Sequence, residues 1–220
     1  MIIRMCQRFP EMGFVNKDLV DFYEALGKCL CVPSTLQGLK EIGQSPEELA
    51  QKLWQVCQIN VEIVNQLVHK NKLSRVPRDP CDPCVWIDNL SALFVSMSRM
   101  VTGKGRPDQV DEATVVAKRP YLAAHYSVME HYIWPVLSGL VDCFISDGRV
   151  LERVVRILRY SLRCFQMMTK PLLGSIAEKV CRLTAVIAHQ YHLLLDRCGV
   201  LAQQGILFPL RRWHPRGRVR

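Results

Sequence analysis

The chain has 220 residues, a formal net charge of +9 at pH 7 and a pI near 9.2, with 49% hydrophobic and 8% aromatic residues. That is enough chain for one or two domains with a sizeable core, but its apolar runs are broken by charge well short of the ~18 residues a membrane span needs. The opening Met1-Ile2-Ile3-Arg4-Met5-Cys6-Gln7-Arg8 lacks the apolar length and small-residue cleavage site of a secretory signal. A soluble cytosolic or nuclear protein is expected, with acidic protein, phosphorylated peptide or nucleic acid as the partner classes its charge favours.

In chain order, Leu19, Val20, Tyr23, Leu26 and Leu30 recur at helical spacing from about Asn16 to Cys31, and Val32-Pro33 ends that helix because the residue before proline avoids the helical region. Ser45-Pro46-Glu47-Glu48 is a capping box with proline in the first turn. It opens a helix to about Asn71 whose Leu49, Leu53, Trp54, Cys57, Val61, Val64, Leu67 and Val68 form one stripe. Asp82-Pro83 repeats the cap-then-proline signal and starts a helix through Trp86, Leu90, Leu93, Phe94 and Met97, which fades at Thr102-Gly103-Lys104-Gly105. Residues 102–120 read as a mobile loop that ends at Pro120, with a helical turn within Asp111–Lys118 as an option.

From Tyr121 to Ile145 a further apolar stripe contains Pro135, so a kink or break is expected there. Asp147-Gly148 caps a helix to about Met168, with Val150, Val154, Val155, Leu158, Leu162 and Phe165 on its buried side. Pro171 opens another helix through Leu173, Ile176, Val180, Leu183, Val186 and Ile187. Amphipathic helices of ~15 to 25 residues joined by short turns are the layout of a helical solenoid or irregular bundle. The organisation is then a helical segment over 1–31, helical repeats over 32–197 with the 102–120 loop, and a divergent, basic, poorly ordered tail over 198–220. That tail could itself bind nucleic acid or serve as a localisation signal.

Ten cysteines lie scattered, mostly at positions that suit apolar helix faces, and read as reduced, buried, small hydrophobes. Cys81-Asp82-Pro83-Cys84 could offer two zinc ligands or a redox pair, but no second pair stands at zinc-site spacing, so a helix cap is the better reading. His189 and His192 lack an acidic neighbour and a third ligand, and read as packing or surface residues. Phosphate-loop, dinucleotide-fold and hydrolase signatures are missing, so no enzyme, catalytic residue, cofactor or metal is expected.

One constellation rises above this background. Arg149, Arg153, Arg156, Arg159 and Arg163 fall within an arc of roughly 120° on one helix, at ~100° per residue. Only Glu152 shares the arc, so several guanidinium groups lack an anion on their own helix. Such a row suits a multivalent anion, because each planar fork matches two carboxylate or phosphate oxygens. Spacing alone equally allows the solvated face of an amphipathic helix.

Three stretches carry a resemblance. They are Asp82-Pro83-Cys84-Val85-Trp86-Ile87-Asp88-Asn89-Leu90-Ser91-Ala92-Leu93-Phe94, then Ile133-Trp134-Pro135-Val136-Leu137-Ser138, then Asp147-Gly148-Arg149-Val150-Leu151-Glu152-Arg153 through Leu162-Arg163-Cys164. Together they resemble the importin-β superfamily of nuclear transport receptors, in particular the transportin-SR and importin-thirteen branch, over roughly Val32 to Arg197. The resemblance implies an all-α, HEAT-type solenoid of paired helices, here partial, that carries cargo through nuclear pores and shuttles between cytoplasm and nucleus. It also implies that Arg149, Arg153, Arg156, Arg159 and Arg163 clamp phosphorylated or acidic Arg-Ser domains such as those of splicing factors. Nucleoporins and the small GTPase Ran are partners of full-length receptors, whereas membrane and direct nucleic-acid contact are not expected.

The chain is much shorter than such a receptor, lacks the N-terminal repeats on which Ran contact depends, and departs from the pattern beyond Asp196. It reads as a C-terminal-half fragment, in which exposed apolar repeat faces would favour low solubility or oligomerisation. A helical-repeat adaptor without a transport role is the alternative.

Overall fold

The computed structural model describes residues 16–33, 36–70, 73, 74, 76, 79, 81–102 and 112–203. Every regular element among them is helical: α1 (Asn16–Cys29), α2 (Leu36–Ile42), α3 (Pro46–His69), α4 (Pro83–Thr102), α5 (Glu112–Val128), a π turn (Met129–Ile133), α6 (Trp134–Cys143), α7 (Gly148–Phe165), a 3-10 turn (Gln166–Thr169) and α8 (Lys170–Gln203). The fold is an all-α helical-repeat stack.

The helix starts follow the chemistry of their first residues. Glu48 N donates to Ser45 Oγ at 3.1 Å and Ser45 N donates to Glu48 Oε2 at 3.2 Å, so α3 opens on a reciprocal capping box with Pro46 in its first turn. Carboxylates do the same work later: Cys84 N donates to Asp82 Oδ1 at 3.1 Å, and Arg149 N to Asp147 Oδ1 at 3.0 Å.

Two proline-containing segments differ in outcome. The break expected near Pro135 is a π turn, in which Trp134 N–H reaches back five residues to the Met129 carbonyl. Pro135 can donate no such bond and its ring would press on the preceding turn, and the widened turn admits it at the start of α6. The loop expected over 102–120, by contrast, is helical from Glu112, and α5 continues through Pro120. Thr114, Lys118, His125, Tyr126 and Val128 bury along α5, and that packing outweighs the single backbone bond a proline removes. Residues 103–111 of that segment lie outside the described ones.

The chain divides into two units, 1–179 and 180–220. In the first, like helices stack side by side. Tyr121 Oη donates to the Gln44 carbonyl at 3.2 Å, the Trp54 and Tyr132 rings stack with centroids 4.3 Å apart, and Gly139 lies against Val68. The numbers rise together, so α3 runs parallel to the α5–α6 rod. Asp82 meets Arg149, Asp88 meets Arg153, and the Phe94 ring lies edge-on to Phe165 at 6.5 Å, so α4 runs parallel to α7. Trp134 Nε1 donates to Ser175 Oγ at 3.1 Å and Lys179 pairs with Asp142, which sets the opening of α8 along α6 in the same sense. Two layers of stacked helices result, as a solenoid of helical hairpins requires.

Between the layers, Phe94, Phe165, Leu53, Ile87, Leu90, Leu93, Ile133 and Leu140 are fully buried. A polar chain crosses this apolar region: Asn89 Nδ2 donates to Asn60 Oδ1 at 3.0 Å, and Asn60 Nδ2 to Tyr23 Oη at 2.6 Å. Each buried amide is thereby partnered, and α1, α3 and α4 are held in one register. Helix α1 meets α4 at Gly27, where a Cβ would stand 2.5 Å from the Leu93 carbonyl oxygen and 2.9 Å from Ser96 Cβ. Only glycine allows that approach.

The buried side of α7 is rotated from the expected one. Val150, Val154, Ile157, Ser161, Cys164 and Phe165 are buried, whereas Val155 is 56% exposed and Leu158 and Leu162 are half-buried. The row of three- and four-residue steps from Val150 to Cys164 faces α4 and the π turn, where Ser161 Oγ donates to Met129 Sδ at 3.8 Å. The cysteine expectation is likewise corrected in part: Cys31, Cys57, Cys84 and Cys164 are buried, but Cys29, Cys143 and Cys181 are exposed, and all of these are free thiols. Cys6 and Cys198 lie outside the residues whose side chains are described.

In the second unit α8 continues to Gln203. Val180 and Leu193 are about half exposed, Leu183 and Val186 are half-buried, and Thr184 Oγ1 donates to the Val180 carbonyl at 2.9 Å. Among the described residues no helix is long and apolar enough to cross a membrane.

Candidate anion-binding face of helix α7

The five arginines predicted to act together lie on one helix, but the structure gives them different neighbours. Arg149 joins two helix caps: Nη1 donates to Asp82 Oδ2 at 3.3 Å and Nη2 to Asp147 Oδ2 at 3.1 Å. Arg153 reaches α4, where Nε donates to Asp88 Oδ1 at 2.7 Å, while its Nη1 bonds the Arg149 carbonyl at 3.0 Å. Both therefore tie α7 to α4, and their forks are directed at protein carboxylates.

Arg156 is half-exposed and pairs with Glu152 one turn earlier, and Glu152 also lies 3.9 Å from Arg153. Arg159 and Arg163 are exposed and flank one ring, their Cζ atoms 5.6 and 5.7 Å from the Tyr160 centroid. Among the described residues no carboxylate lies within ion-pairing distance of either. The ring attracts the cations and restricts their side chains.

Asp82 was legible as a helix cap, but its pairing with Arg149, and the roles of Asp88 and Tyr160, escaped the sequence reading. The two aspartates stand 67 and 65 residues from their arginines, so no local spacing rule reports them. Tyr160 is three residues before Arg163 and adjacent to Arg159, and helical spacing could have found it.

Electrostatics support the same division. Burial works against ionisation of Asp147, but the Arg149 guanidinium and backbone amides that bond it outweigh burial and hold its carboxyl below the usual aspartate range. Burial, followed by the hydrogen bond with Asp82, pushes the Cys84 thiol up to about 12. That shift favours the neutral thiol beneath the helix cap. His189 and His192 are exposed on α8. Among the described residues no three His, Cys, Asp or Glu side chains gather as a metal site would need.

Residues 125–203, roughly a third of the chain, match the family model described as the Transportin-3/Importin-13 fourth TPR domain. The matched segment begins within α5, holds all of α7 and runs to the end of α8. It supports a transportin/importin-like helical-repeat protein, a non-enzymatic kind of molecule. No solved structure matched the chain.

Proposed function

We propose that the chain acts in nuclear import as a cargo-binding portion of a transportin-SR/importin-thirteen-like receptor that shuttles between cytoplasm and nucleus. On this reading the exposed side of α7 receives phosphorylated or acidic Arg-Ser-type segments, and Ran and nucleoporins are partners of the complete receptor. The observation that carries it is the family match spanning α7, joined to the exposed guanidinium groups of Arg159 and Arg163. Arg156 extends the contact surface, whereas Arg149 and Arg153 position the helix.

Recognition by guanidinium forks gives affinity that falls with salt and favours phosphoserine over serine. The test is a titration of the purified chain with an Arg-Ser peptide in phosphorylated and unphosphorylated forms. Phospho-selective binding is expected; equal binding of the two forms, or none by folded protein, would leave a helical-repeat adaptor without this cargo.

A further inference from the structure

Glu152 stands inside the arginine row on the solvent side of α7. It is the only carboxylate on that arc, pairs with Arg156 one turn on, and approaches Arg153 at 3.9 Å. Arg153 is already held by Asp88, so the principal effect of Glu152 falls on Arg156. Both partners are close to half-exposed, 47% for Arg156 and 57% for Glu152. An exposed pair of this kind is weak and can be displaced by a stronger anion.

From these contacts we infer that Glu152 is a built-in competitor for the anion site, and that it sets how many phosphate groups the site engages. The inference rests on the anion-binding reading above. With Glu152 in place, a ligand finds Arg159 and Arg163 open around Tyr160, and must displace a carboxylate to add Arg156. A ligand with two phosphates is satisfied by the open pair. A longer polyanion spans the next turn and competes with Glu152 for the third guanidinium.

Glu152 therefore acts as a specificity-determining residue. It weakens binding of extended polyanions more than binding of short ones, and keeps Arg156 neutralised when no ligand is present.

Four proteins test this against peptides carrying two and four phosphoserines: wild type, Glu152→Gln, Glu152→Gln with Arg156→Ala, and Glu47→Gln. The last removes an exposed carboxylate from α3 and matches the change in net charge. Glu152→Gln is expected to bind the four-phosphate peptide about twofold to fivefold tighter than wild type, the range a released surface pair allows. The two-phosphate peptide should change by less than about twofold, and Arg156→Ala should abolish the gain.

Equal affinities of wild type and Glu152→Gln for the four-phosphate peptide would overturn the inference, as would the same gain from Glu47→Gln. If none of the four proteins binds either peptide, the anion-site reading falls and takes the inference with it. That result is distinct from binding that ignores Glu152.

Discussion

The two ends of helix α7 carry the same residue type at the same helical spacing and meet different neighbours. At its start, Arg149 and Arg153 face α4 and are held by Asp82, Asp147 and Asp88. At its end, Arg159 and Arg163 rest on Tyr160, with no carboxylate in ion-pairing range among the described residues. A guanidinium donor is directional, so the N–H groups already bonded within the fold are not offered to a ligand. The difference between the halves lies in the neighbouring helix: α4 offers aspartates beside the first two turns of α7 and the apolar Phe94 beside its end.

The strongest way to break this contrast is to remove the anchor. Asp82 is buried, caps α4 and receives Arg149, so Asp82→Ala should lower stability by about 2–4 kcal/mol, the cost of a lost cap added to a lost buried acceptor. Urea unfolding would measure it, and protein that remains folded should keep its affinity for phosphopeptide.

Next comes the cap of α7 itself. Asp147→Ala should cost about 1 kcal/mol, and the wild-type contribution should depend on pH. Because the folded-state pKa is lowered, the stabilisation is complete above the ordinary aspartate range and is lost as pH falls through the depressed folded value. Unfolding free energies across acid pH should show a shallower slope for Asp147→Asn than for wild type in that window.

A smaller effect is expected from Asp88→Ala, which releases Arg153. Stability should fall by about 0.5–1 kcal/mol, as for a partly exposed ion pair, while phosphopeptide affinity rises modestly because one more fork is available. A fall in affinity would mean that Arg153 acts only through its contact with α4. The smallest change belongs to Tyr160→Ala, which should weaken binding about twofold to fivefold, the scale of an exposed cation–π contact; Tyr160→Phe should retain affinity.

Much of the scaffold was legible because its signals are local. Ser45 and Glu48, Asp82 and Asp147 announce helix starts within three residues, and period-3.6 stripes mark the buried faces of α1, α3 and α4. What failed was decided across helices. Pro120 reads as a breaker, yet burial along α5 carries the helix through it, and Val155 reads as core although it is exposed and Ile157 and Cys164 are buried instead. The arginine row was visible as a pattern, while its division into anchors and open cations depends on Asp82 and Asp88, more than sixty residues away. Long-range partners of this kind leave no periodicity to read.

The most direct measurement compares two double variants by calorimetric titration with the same two-phosphoserine peptide: Arg149→Ala with Arg153→Ala, and Arg159→Ala with Arg163→Ala. The first pair should lose stability and keep affinity within about threefold, while the second should keep stability and lose affinity at least tenfold, as expected when charge-assisted contacts to an anion are removed. Tight binding by the second pair, or loss of binding by a folded first pair, would contradict that division.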